Sequence, residues 1–513
     1  MIVVAAVVAL VCGAYPGAAG GPAPLAVVLG APFPSGTAPA SPVSEAAPGY
    51  ESGGRTVPAL NDSRPNIVLL LIDDFPAMDD RVFERLPNIK ATFVDQGLSF
   101  DNFWADFSLC CPARATLLTG QRSDHTGVQR NSGRLFDPTE TIATELDSVG
   151  YYTGIIGKYF NGTSQIPDKT PPGWDYVAVK DDGPYFDYPV WVNGVRQWHG
   201  HLPSDYSVDV MANESMSFFT SAPAAQPLFA YLTPNATHGG WDENHVKNGK
   251  MPVAAPRFRG DPRCAAIPKW KPASYNEADV SDKPPYIRNL PLLESLDGWD
   301  VTPACEALLA VDEWLGRVRA ALNTQGRLAN TLFILTSDNG MGWGAHRYSS
   351  KVAPYTAHMP LHVSWPAAIN GPRSEVNGLL SNTDVAPTLC EIAGCAMGPF
   401  PNGHGVDGQS FAGLIDDAKY SSVPIRDSIF IQGQAGTAVP AFRAIMTGAN
   451  HARGQWLLIR YIDSGFKELY DMSGGPCATW QVGDPGDSCM LTNVARKRQG
   501  VRQALLQELA NEW

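Results

Sequence analysis

Two acid-tipped apolar runs constrain the fold more than any other feature of this chain. Asn66-Ile67-Val68-Leu69-Leu70-Leu71-Ile72 is followed directly by Asp73-Asp74. Thr331-Leu332-Phe333-Ile334-Leu335-Thr336-Ser337 repeats the idea and runs into Asp338-Asn339-Gly340. A strand wetted on one face alternates apolar and polar residues. A continuous apolar run belongs instead to a strand covered on both faces, as in a parallel sheet. Segments 152–158 and 228–232 read as further strands, and helical patterns at 139–149 and 306–322 lie between them. Strands alternating with helices predict an α/β fold around a mostly parallel sheet. Sites in open α/β sheets lie beyond the carboxyl ends of strands, where both acidic tips fall.

A third segment constrains chemistry. Ser108-Leu109-Cys110-Cys111-Pro112-Ala113-Arg114 leads into Ala115-Thr116-Leu117-Leu118-Thr119-Gly120. Pro112 has no amide hydrogen to donate and a fixed φ. The apolar residues after Arg114 read as the start of a buried helix. Cys110 would then sit near a helix N-terminus, a natural place for an anion. This Cys-x-Pro-x-Arg segment resembles the signature of the type I sulfatases, with Ala113 where Ser is more usual. The resemblance implies an alkaline-phosphatase-like sandwich with a large mixed, mostly parallel central sheet. It also implies a small C-terminal antiparallel sheet and helix, for which Glu468-Leu469-Tyr470-Asp471 is the landmark.

The same resemblance implies a mechanism. Cys110 would be converted by a formylglycine-generating maturation enzyme to an aldehyde, whose hydrate attacks sulfur, and Arg114 would steady it. Asp73, Asp74, Asp338 and Asn339, with the modified Cys110, would hold a divalent cation. Ca²⁺ is favoured and Mg²⁺ stays open, because both take hard oxygen ligands. Lys158, Lys351 and His238 would contact the sulfate, with His238 or Lys351 as proton donor to the leaving alcohol. Many sulfatases carry a His where this chain has Phe160. His199 is the preferred substitute and His201 the alternative, and His346 is a substrate-side candidate. Gly157-Lys158-Tyr159-Phe160-Asn161 and Thr233-Pro234-Asn235-Ala236-Thr237-His238 are similar to segments of the N-acetylglucosamine-6-sulfatase branch. The expected substrate is therefore a sulfated small molecule or glycan. A phosphonate or phosphodiester hydrolase of the same superfamily, or a non-catalytic binder of sulfated glycans, stays open as an alternative.

With 513 residues the chain exceeds one ordinary domain. The expected division is a signal peptide at 1–19, a Pro/Ala/Gly/Ser-rich linker at 20–63, the catalytic domain at 64–416 and a C-terminal subdomain at 417–513. The first apolar stretch is shorter than the ~20 residues of a spanning helix, so export without stable membrane insertion is expected. A formal net charge of −13 argues against nucleic acid as a partner. It still allows a local cationic pocket. Local cysteine pairing as Cys264–Cys305, Cys390–Cys395 and Cys477–Cys489 would leave Cys111 as a thiol, with the connectivity open.

Overall fold

The acid-tipped runs lie side by side in the sheet. The computed structural model describes residues 64–181, 183–247, 251–375, 378–418, 425–435, 438–474 and 489–513, and the expected signal peptide and linker fall outside them. Strand Asn66–Ile72 pairs in parallel with Thr331–Ser337 on one side and with Leu228–Thr233 on the other. Tyr152–Lys158 and then Tyr176–Lys180 extend the parallel set. Tyr188–Val192 and Val195–His199 close that side as antiparallel strands. On the opposite side His358–Ser364 runs antiparallel to both Thr331–Ser337 and Leu98–Trp104. The short strands Arg373–Glu375 and Leu380–Ser381 pair with Leu98–Trp104. Among the described residues the result is an 11-stranded mixed sheet with a parallel centre.

The apolar run divides its side chains between the two faces, as a period of two requires. Val68, Leu70 and Ile72 enter one core with Leu308, Val311 and Leu315 of helix Thr302–Thr324. Ile67, Leu69 and Leu71 enter another with Ala115 and Leu118 of helix Cys110–Thr119 and Leu389 of helix Val385–Ala393. Each of these six strand side chains is at most 2% exposed. Burial of this kind contributes roughly 2 kcal/mol per side chain, which fixes the strand between two helical layers. The helix expected from residue 139 begins at Ile142, because Thr141 is an extended N-cap whose side chain accepts from the Thr144 amide.

Strands Ser428–Gly433, Phe442–Thr447, Trp456–Tyr461 and Lys467–Asp471 form a separate antiparallel sheet in chain order. One face, including Ile431, Leu457 and Ile459, packs on Tyr348, Val352 and Tyr355. The other, including Ile445, Leu458 and Leu469, packs on Leu505 and Leu509 of the last helix, Gln499–Glu512. Cys264–Cys305 and Cys390–Cys395 are disulfides. Cys489 is also disulfide-bonded, and its expected partner Cys477 lies outside the described residues. Cys110 and Cys111 are buried thiols. Among the described residues no helix is long and apolar enough to cross a membrane.

Candidate active site

Four neighbouring strands, one helix and the loop that carries Lys351 deliver the site. The register that pairs Ile72 with Ser337 brings Asp73-Asp74 beside Asp338-Asn339. Asp74 adopts a left-handed φ of 60°, and its amide donates to Asp338 Oδ1 at 3.1 Å. Lys158 ends its strand fully buried. Gly157 before it has φ 124°, and a Cβ there would lie 2.0 Å from the Thr233 carbonyl oxygen. Only glycine lets the chain pass this close to its neighbour. Cys110 is the first residue of its helix, after an extended Leu109. The Cys111 amide donates to Asn131 Oδ1 at 3.0 Å.

The side chains converge on Cys110. Its Sγ lies 3.9 Å from Asp73 Oδ1 and 4.0 Å from Asp74 Oδ1. Lys351 Nζ reaches Sγ at 2.9 Å and Asp74 Oδ1 at 2.6 Å. Lys158 Nζ donates to Asp73 Oδ2 at 2.6 Å. Arg114 donates from Nε to Asp338 Oδ2 at 2.9 Å and from Nη1 to the Lys158 carbonyl at 2.6 Å. His238 Nε2 is 3.6 Å from Asp74 Oδ2, and its Nδ1 is 2.7 Å from the Gly239 carbonyl. A carbonyl only accepts, so Nδ1 carries the hydrogen and Nε2 faces the cluster.

Opposing charges decide the protonation states. Burial alone would raise Asp73, but Lys158, His238 and Arg114 outweigh it and hold this carboxyl below its ordinary range. Burial likewise opposes Asp74, and Lys351 and His238 bring it down. Burial pushes the Cys110 thiol well up, against Lys158 and Lys351. An unmodified Cys110 is therefore a protonated thiol and a poor nucleophile.

The donor set fits a hard cation. Ligand atoms of Asp73, Cys110 and Asp338 all lie within 4.8 Å of one another, and all three residues are buried. Asn339 Nδ2 donates to Asp74 Oδ1 at 2.7 Å, while Asn339 Oδ1 is buried without a hydrogen-bond partner. A buried amide oxygen beside three carboxylates is a position that a bound divalent cation satisfies.

The structure thus brings together Asp73, Asp74, Cys110, Arg114, Lys158, His238, Asp338, Asn339 and Lys351. It does not bring His199 to them. His199 ends the edge strand Val195–His199, three strands from the Lys158 strand, or about 14 Å at ordinary strand spacing. Its ring stacks on Tyr188 and its Nδ1 is 4.0 Å from Asp205. His201 is exposed and faces Asp187 at 3.3 Å. His346 pairs with Glu277 at 2.6 Å. It lines a cavity of about 70 Å³ with Trp104, Trp270, Ala77 and Met341. Thr237 escapes a sequence reading, yet its hydroxyl donates to the Asp73 carbonyl at 2.9 Å and its amide to the same oxygen at 2.8 Å. Its place one residue before His238 is the signal that could have found it. Asn131 carries no such signal.

The sulfatase family model matches residues 65–395, more than half of the chain. The chain belongs to the sulfatase family. It is 27% identical over 400 residues to the N-acetylglucosamine-6-sulfatase of Capra hircus, covering 73% of this chain and 67% of that relative. It is 28% identical over 375 residues to the extracellular sulfatase SULF-1 homolog of Drosophila melanogaster, covering 69% of this chain and 31% of that relative. A solved structure described as a complex with its substrate D-glucosamine-2-N,6-O-disulfate superposes with a TM-score of 0.69 at 21% identity, over 88% of this chain and 97% of that one. This sulfatase is a sulfuric ester hydrolase on an alkaline-phosphatase-like fold.

Proposed function

We propose that this sulfatase hydrolyses a sulfate monoester of a sulfated sugar, of the N-acetylglucosamine-6-sulfate kind, with Cys110 acting after conversion to formylglycine. The observation that carries the reading is the convergence of Arg114, Lys158, Lys351 and His238 around Cys110 at a helix N-terminus. A sulfate monoester is an anion that repels anionic nucleophiles. Fixed cations offset that repulsion and stabilise charge developing on the transferring group. The sugar assignment draws support from the substrate in the complex of the structural neighbour and from the activity for which the goat relative is named.

Asp73, Asp74, Asp338 and Asn339 would hold the cation, Ca²⁺ or Mg²⁺. Bound there, it supplies Lewis-acid polarisation of a sulfate oxygen. The chain's own groups do the rest. Lys158 and Lys351 bind and orient the sulfate oxygens. Arg114, held between Asp338 and the Lys158 carbonyl, keeps the residue-110 side and the Lys158 strand in fixed relation. His238, with its Nδ1 hydrogen on Gly239, presents Nε2 to the leaving alcohol and, as the imidazolium, is the preferred proton donor. His199 and His201 receive no role here, because their contacts are with Asp205, Tyr188 and Asp187. The disulfides, and the extracellular character for which the Drosophila relative is named, support an exported location after signal-peptide removal. The division at residues 416–417 between catalytic domain and C-terminal subdomain belongs to the same reading.

The test combines peptide mapping of the Cys110 segment from the native host, using a hydrazide probe, with turnover of N-acetylglucosamine 6-sulfate and 4-nitrophenyl sulfate. The expected result is an aldehyde at residue 110, release of sulfate from both, and at least a 10³-fold loss of kcat in Cys110→Ala with the fold unchanged. Full activity in Cys110→Ala would refute it. Hydrolysis of phosphonates or phosphodiesters with none of sulfate esters would favour the other superfamily reaction.

A further inference from the structure

This chain is acidic overall, with a formal net charge of −13. Its C-terminal part nevertheless contains Arg496-Lys497-Arg498-Gln499-Gly500-Val501-Arg502, four cations in seven residues with no acid among them. Folding sets Arg496 and Arg502 of this segment beside Lys467 and Arg288, which come from two distant parts of the chain. The four line a cleft of about 490 Å³, together with Ser281 and Asn493. We propose that this cleft is a second anion site that holds a sulfated polysaccharide chain while one of its sugars occupies the active site. The proposal rests on the sulfatase reading and deepens it, because it assigns a polymeric substrate.

Three observations support an anionic occupant. First, the acid on the cleft wall is already engaged: Asp282 accepts from Lys283 Nζ at 2.7 Å and from the Asn493 amide at 2.6 Å. Second, two of the cleft cations are held by carbonyls and not by acids. Lys467 Nζ donates to the Gly465 carbonyl and Arg502 Nη1 to the Ala495 carbonyl, both at 2.8 Å, and Arg502 Nε is buried without a hydrogen-bond partner. By contrast Arg257 bridges Asp209 and Glu313, and Arg259 lies on Glu243. Four converging cations repel one another, and a bound anion relieves that repulsion. Third, the guanidinium groups among them match the geometry of a sulfate ester, offering paired N–H donors to oxyanions.

Size and position favour a polymer. The cleft falls in the range of pockets that hold a ligand of several rings rather than one small ion. One short stretch of chain borders both the cleft and the cavity lined by His346. Met490 lines the cavity with Ala77 and Met341, which lie close after Asp74 and Asn339 in sequence. Asn493 and Ala495 line the cleft. A sulfated chain that followed this stretch out of the cavity would reach the cationic wall.

The decisive comparison uses the full chain and the double variant Arg288→Gln/Arg496→Gln, both of whose side chains are exposed. Binding of a defined heparin oligosaccharide is titrated by calorimetry at several salt concentrations, and turnover of 4-nitrophenyl sulfate is measured in parallel. The variant is expected to bind the oligosaccharide at least about tenfold more weakly, with a salt dependence shallower by about two charges. Its kcat/KM for 4-nitrophenyl sulfate is expected to stay unchanged. Equal oligosaccharide affinity in the two proteins would overturn the proposal. So would a single-stranded oligonucleotide of matched charge that binds as tightly as the heparin fragment. Binding is read without turnover. A wild-type protein that binds through the cleft and hydrolyses no sulfate ester would therefore count against the active-site reading alone.

Discussion

Glu468 gives the most quantitative test of this structure. It lies on strand Lys467–Asp471 and is fully buried. Its carboxylate accepts from the Tyr355 hydroxyl at 2.7 and 2.8 Å, from Tyr461 at 2.8 Å, and from Tyr470. Burial pushes this carboxyl up to about 7 from its ordinary 4.5, even though the three hydroxyls and Lys283 favour the charged form. A group raised on folding stabilises fully below its unfolded value and loses that contribution as pH rises through the folded one. The window is therefore pH 4.5 to 7, and the full loss is about 3 kcal/mol. Between pH 5 and pH 8 about 2.5 kcal/mol of this falls within range. Glu468→Gln removes the titration and keeps the shape. The free energy of unfolding in urea, measured for both proteins at pH 5 and pH 8, reads it directly. The wild type should lose about 2.5 kcal/mol relative to the variant across that interval, other groups such as Asp106 cancelling in the difference. A wild-type-minus-variant difference that is the same at both pH values would refute the burial argument.

Other perturbations test the active site. Arg114→Ala leaves Asp338 buried without its partner, and should cost about 3–5 kcal/mol of stability by thermal unfolding. Arg114→Lys should recover little, since one ammonium cannot serve both Asp338 and the Lys158 carbonyl. Chelation with EDTA should lower the thermal midpoint and stop turnover, because it leaves Asp73, Asp74 and Asp338 facing one another. Whether Ca²⁺ or Mg²⁺ restores both signals identifies the ion, and an unchanged midpoint and rate would argue against a metal site. Gly157→Ala should destabilise by at least about 3 kcal/mol, since the new Cβ would meet the Thr233 oxygen at 2.0 Å. Gly162→Ala, also at positive φ but with its nearest atoms 3.8 Å away, should cost only about 1 kcal/mol.

Local features were legible along the chain. Asn66–Ile72 and Thr331–Ser337 read as strands covered on both faces, because their apolar runs are too short for an ordinary buried helix and end at once in polar tips. Their acidic tips, and Cys110 with Arg114 one helical turn later, followed from spacing within single segments. Tertiary structure decided which segments meet. Lys351 lies 241 residues from Cys110 in sequence, yet its ammonium reaches the sulfur at 2.9 Å, because its loop is packed against the C-terminal sheet. His199 shows the reverse. It was a reasonable candidate from its neighbours in sequence, but the order of strands carries it to the far edge of the sheet. Net charge gave no sign that Arg288, Lys467, Arg496 and Arg502 share one cleft. Nor could composition show that Glu468 sits among three tyrosine hydroxyls. Hydrophobic periodicity is a property of adjacent residues and can be read along the chain. Sheet order and the local dielectric depend on residues hundreds of positions apart, and only the folded chain brings those together.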